Sequence, residues 1–120
     1  MKQILLILFL NTFPFLSIAQ NTNTLSNKPD SAKKIFIAEV SCGQCQFGLP
    51  GMDCSLAVRI DGHAYFVKGA NIDSYGDAHA NDGFCKAIRT AEVQGELINN
   101  QFNLSYFKLL EKPIKTKSKK

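Results

Sequence analysis

Between Ile35 and Leu110, short apolar or alternating runs are separated by clusters of turn residues, and these breaks divide the segment into short strands. Ile35-Phe36-Ile37-Ala38-Glu39-Val40 is apolar and β-branched and predicts a first strand that runs directly into Cys42. Gly48, Pro50 and Gly51 mark the loop that follows. Ser55 to Ile60 predicts a second strand, with Leu56, Val58 and Ile60 on one face. Asp61-Gly62 is a two-residue hairpin signal, because Gly accepts the positive φ of such turns, and His63 to Val67 is the returning strand.

From Lys68 to Asn81 the pattern is irregular. Asp82 then suits the N-cap of a short helix, and Phe84, Ala87, Ile88 and Ala91 fall at i, i+3, i+4 and i+7. Glu92 to Ile98 and Gln101 to Tyr106 alternate again on either side of Asn99-Asn100, which predicts a second hairpin, with Phe107 to Leu110 extending its last strand. Five strands with one helix between the third and fourth predict a mainly β fold, a small five-stranded OB-like barrel; an open α+β sheet is the alternative. Gly95 in mid-strand suits the bulge or bend that a barrel needs.

The ends read differently. Lys2, the apolar run Ile4 to Leu10 and the small residues Ser17 and Ala19 form the pattern of a secretory signal peptide over residues 1–19, with a cut after Ala19. Residues 20–34, rich in Asn, Thr, Ser and Lys, predict a flexible polar spacer. Residues 35–111 form the single domain, and 112–120 a disordered basic tail. The expected location is therefore the periplasm or the medium.

Charge changes this picture in one respect. The whole chain is +4, but residues 35–111 carry five cations against nine anions, a net −4. The positive excess lies in the termini. A folded face of that sign argues against nucleic acid as a partner, while the Lys-rich tail is a candidate contact for an anionic envelope surface.

The candidate chemistry lies between Ser41 and Cys85. Four cysteines, Cys42, Cys45, Cys54 and Cys85, admit three readings. In an exported chain with so small a core, two disulfides are the first expectation, with Cys42 and Cys45 each pairing outward to Cys54 and Cys85. The second is a metal site: Cys-x-x-Cys at a strand end can turn two thiolates onto one zinc or copper ion, with Cys54 and Cys85, or His79 in place of one of them, completing the set. The third is a redox centre, which lacks the long helix that should follow its first cysteine, since Gln46 to Gly51 is Gly- and Pro-rich. His79, with Asp73, Asp77 and Asp82, marks a possible metal or ligand loop. Asn71, Asp73, Gly76 and Asp82 match positions 1, 3, 6 and 12 of a calcium loop, but Tyr75 at position 5 and Asp at position 12 do not fit. Side chains that cap the loop backbone explain the same residues. No catalytic arrangement stands out.

Ser-Cys-Gly-Gln-Cys-Gln-Phe-Gly at 41–48, the run from Cys54 to Gly62, Gly-Asp-Ala-His-Ala-Asn-Asp-Gly-Phe-Cys at 76–85 and the run from Ala87 to Glu96 resemble a family of small exported bacterial domains of unknown function. The resemblance implies export and one small domain, and it carries no activity to transfer. A small exported binding module stapled by its cysteines, with the Cys/His/Asp loops as its site, is the first functional expectation. A Cys/His metal-binding protein is the second.

Overall fold

A computed structural model describes residues 24–110. The expected signal peptide and the basic tail lie outside the described residues. Five strands form: β1 (Phe36–Cys42), β2 (Leu56–Ile60), β3 (His63–Lys68), β4 (Arg89–Ile98) and β5 (Gln101–Leu109). They close into a barrel in the order β1-β2-β3-β5-β4. All neighbours are antiparallel except β3 and β5, which run parallel through Val67↔Phe102 and Lys68↔Asn103. This is the expected barrel of the OB type. Among the described residues no helix is long and apolar enough to cross a membrane.

The period-two pattern accounts for the core. Ala38, Val40 and Cys42 of β1, Leu56 and Val58 of β2, Ala91 and Val93 of β4, and Phe102 and Leu104 of β5 face inward and are buried. Both tight turns carry two residues of positive φ, Asp61 and Gly62 in one and Asn99 and Asn100 in the other, as two-residue hairpins require.

The helix expected from Asp82 onward does not form. Residues 69–88 are a long loop of turns, and the only helix among the described residues is the single turn α1 (Gly43–Gln46), placed between β1 and β2. The apolar spacing that suggests a helix has another use. Phe84 plugs the barrel end together with Ile72 and Ala78, Ala91 is drawn into β4 opposite Ala38, and Ile88 stays exposed. The Phe84 and Ala87 carbonyls, which a helix would spend internally, accept the Ser41 hydroxyl instead. The α1 turn carries Cys-Gly-Gln-Cys and ends at Phe47, before Gly48 takes φ 68° in the loop expected there.

The polar stretch before β1 is laid against the barrel. Ser26 N–H donates to the Ser105 carbonyl (2.8 Å). The buried Gln94 carboxamide accepts the Asp30 N–H (2.8 Å) and donates to the Asp30 and Lys33 carbonyls (2.8 and 2.9 Å). A buried amide with this many partners is satisfied rather than costly.

Gln94 stands where β4 slips register against β5, between Gln94 and Gly95, so the bulge expected at Gly95 is present. A Cβ on Gly95 would run into the Asn103 carbonyl oxygen and lie 2.7 Å from Phe102 Cε1. Gly95→Ala is therefore expected to destabilise the barrel by about 1–3 kcal/mol through overpacking. A thermal melt with no drop in midpoint would contradict this account of the bulge.

Candidate metal centre

Each cysteine is placed by a different part of the fold. Cys42 ends β1, pairs with Leu56 of β2, and is fully buried. Cys45 lies on α1 and is exposed. Cys54 follows the exposed Gly48–Met52 loop and is exposed; Gly43 N–H donating to the Ser55 carbonyl (2.8 Å) holds its neighbour beside α1. Cys85 is half-buried at the end of the long loop, tied by Cys42 N–H to the Phe84 carbonyl and by its own N–H to the Ala78 carbonyl (2.9 Å each).

All four Sγ atoms lie within 4.8 Å of one another. The Cys45 and Cys54 sulfurs are 3.7 Å apart. A tetrahedron of zinc–sulfur bonds of about 2.3 Å spaces its sulfurs about 3.8 Å apart, so the cluster has the dimensions of a four-thiolate site for one ion. The disulfides expected from the sequence are not formed. All four thiols are free, and the 3.7 Å between Cys45 and Cys54 is far longer than the about 2.05 Å of a sulfur–sulfur bond. The four sulfurs converge as a group, not as two separate pairs, because three chain segments meet at one end of the barrel.

The electrostatics follow the packing. At Cys42, burial pushes the thiol up, but the Cys45 N–H (3.3 Å from Cys42 Sγ) and hydrogen bonds from the Cys45 and Cys54 side chains outweigh it, and the net shift is downward. Cys45 is pushed up to about 12, first by its hydrogen bond to Cys42 and then by that to Cys54. Cys85 is pushed up to about 11, first by burial and then by Cys54. The thiolate is thus favoured at Cys42, and the protonated thiol at Cys45 and Cys85.

The other sequence candidates are placed elsewhere. Asp77 Oδ1 accepts the His79 N–H (2.9 Å), and the two side chains are about three-quarters exposed. Asp73 Oδ1 accepts the Ala78 N–H (3.2 Å). Asp82 faces Arg89, whose Nη1 lies 3.6 Å from its carboxylate and donates to its carbonyl (3.1 Å). These carboxylates serve the loop that carries Cys85. Among the described residues they and His79 do not gather into a metal-sized group, whereas the four cysteines do.

A family model matches residues 36–110 of the chain. The chain belongs to DUF6370, a family of unknown function. No curated protein and no solved structure matches it. The matched span begins with β1 and ends after β5, so the domain of this family is the barrel together with all four cysteines.

Three further residues support the cluster and are not singled out by spacing. Ser41, fully buried, directs its hydroxyl at the Phe84 and Ala87 carbonyls (2.6 and 2.8 Å). Gln44 Oε1 accepts the Ser55 N–H (3.0 Å) and lies 3.7 Å from Cys42 Sγ, while its Nε2 donates to Ser55 Oγ (3.3 Å). Gln46 Nε2 donates to the Cys85 carbonyl (3.0 Å). The signal available for the two glutamines is their place in and beside Cys-x-x-Cys. For Ser41 there is none, since alternation assigns it to the outer face of β1. Gly83 is required for a different reason: a Cβ there would collide with the Asp77 and Ala78 carbonyl oxygens. Ser41→Ala leaves the Ala87 carbonyl without its hydroxyl donor, and is expected to cost about 1–3 kcal/mol in denaturant unfolding. An unchanged unfolding midpoint would show that the Cys85 arm is held without Ser41.

Proposed function

We propose that this domain is an exported metal-binding protein in which Cys42, Cys45, Cys54 and Cys85 hold a single thiophilic ion, zinc in the first place and copper(I) in the second. The observation that carries the reading is the convergence of four sulfurs within 4.8 Å from three separate chain segments. Four thiolates in tetrahedral array are a donor set for zinc, and soft sulfur also suits copper(I). The ion would tie the end of β1, the loop before β2 and the loop before β4 into one unit. A domain this small benefits from such a staple. Export rests on the signal-like residues 1–19 and would leave Gln20 as the first residue of the product.

A ligand-binding role is the second reading, favoured by a cavity of about 160 Å³ beside the Cys85 arm, lined among others by Tyr75, Asp77, Asp82, Phe84 and Arg89. Tyr75 and Arg89, which line it, each bury a polar atom with no hydrogen-bond partner, the Tyr75 hydroxyl and Arg89 Nε.

Metal analysis of the purified chain is expected to give one equivalent of ion. Cobalt in its place should show thiolate-to-metal charge transfer. Cys42→Ser is expected to lower affinity more than about a hundredfold, beyond what an outer-shell partner contributes. Binding needs thiolates, and the Cys45 and Cys85 thiols stand at about 12 and about 11 without an ion, so binding should release protons and affinity should fall as pH falls. Intact mass showing two disulfides and no ion, together with a start at a residue other than Gln20, would remove the metal and the export parts of the reading respectively.

A further inference from the structure

We propose that Cys45 and Cys54 form a redox-modification site, which a hydroperoxide converts to a disulfide so that the cluster opens and its ion is released. The inference rests on the metal reading and adds a control to it.

The four ligands are not equivalent. Cys42 is fully buried at the end of β1 and Cys85 is half-buried, whereas Cys45 and Cys54 are both exposed. The two exposed sulfurs are also neighbours, 3.7 Å apart. A disulfide needs them to close to about 2.05 Å. The chain between them can supply that movement. It holds Gly48 and Gly51, both at positive φ, with Pro50 between them, and Met52 stands wholly in solvent. The anchors lie outside the moving stretch: Ser55 is fixed to Gly43 and Gln44, and Cys42 to the Phe84 carbonyl. Oxidation can therefore change Cys54 and the loop before it while β1 and β2 keep their register. An oxidant arriving from solvent meets the exposed pair before it meets Cys42.

The chemistry balances with one peroxide. One thiolate of the pair attacks a peroxide oxygen; the O–O bond breaks, hydroxide leaves and a sulfenic acid forms. The second thiolate attacks that sulfur, the S–S bond forms and a second hydroxide leaves. The two sulfurs lose two electrons in total, the peroxide gains two, and the hydroxides become two waters on taking two protons. The ion, left with two of its four ligands, departs. A dithiol reductant reverses the disulfide and restores the site.

The test uses the metal-loaded full chain, one equivalent of hydrogen peroxide, a chromogenic chelator to count released ion, and peptide mapping of the product. The expected result is one ion released per disulfide, with Cys45 joined to Cys54, and rebinding after reduction and resupply of zinc. Cys54→Ser should still take up zinc, more weakly, and lose it to peroxide at least about tenfold more slowly, because the attacked sulfur has no exposed partner. A map showing Cys42 in the first disulfide, or a Cys45–Cys54 bond formed without loss of ion, overturns the proposal while leaving the metal reading intact. A chain that takes up no ion before peroxide is added defeats the metal reading itself. The mapping on the unmodified chain decides the matter even where Cys54→Ser fails to fold.

Discussion

The carbonyl oxygen of Phe84 receives two hydrogen bonds from adjacent residues of one strand, the Ser41 hydroxyl and the Cys42 N–H. Much of the cysteine end of the molecule depends on that double grip. It holds the end of the long loop to the end of β1, a separation of more than forty residues. It places Cys85 beside Cys42 and turns the Phe84 ring into the barrel mouth, where it is buried with Ile72 and Ala78. Packing and site assembly are therefore one event. The ring supplies the apolar burial that fixes the loop, and the loop fixed in this way delivers the fourth sulfur.

At the other side of the barrel a second buried polar group has a similar part. Gln94 sits at the β4 bulge and binds the backbone of the chain entering β1. The bulge bends β4 so that it can pair with β5 on one edge and with β1 on the other, which closes the barrel. Closure leaves no free edge, and it fixes the register that sets Cys42 opposite Leu56. The Gln94 and Ser41 contacts thus bracket β1 from its two ends.

Most of the barrel was legible in the sequence. Asp61-Gly62 and Asn99-Asn100 mark the hairpins by turn chemistry alone, and alternation places Val40, Val58, Val93 and Leu104 inside. The helix expected at Asp82 was not, because the spacing of Phe84, Ala87, Ile88 and Ala91 fits a helical face and also fits a plug followed by a strand; only the pairing of Arg89, Thr90 and Ala91 with β1 separates the two. The cysteines were legible as a set and not as a geometry. A gap of 30 residues before Cys85 looks like a broken zinc motif until the loop is known to return to β1. Ser41 was invisible for the same reason: it lies on the outward face of β1, and is buried only because that loop covers it. The acidic residues around His79 drew attention by composition, yet their carboxylates are occupied in local turns.

Charge explains why such a cluster calls for a cation. The segment from 35 to 111 is already net −4 before any thiol ionises. Within 4.8 Å, four thiolates would repel one another. Without an ion, hydrogen bonding within the cluster keeps the proton on Cys45, burial keeps it on Cys85, and the hydrogen bonds received at Cys42 favour its thiolate. A divalent cation at the centre, as proposed, would reverse the balance, turning mutual repulsion into shared attraction and freeing the protons. Joining two of the sulfurs covalently removes two of the charges and with them most of the reason for the ion to stay. On the proposed reading, metal and disulfide are alternative solutions to one electrostatic problem, and the exposure of Cys45 and Cys54 beside the buried Cys42 would determine where the second begins.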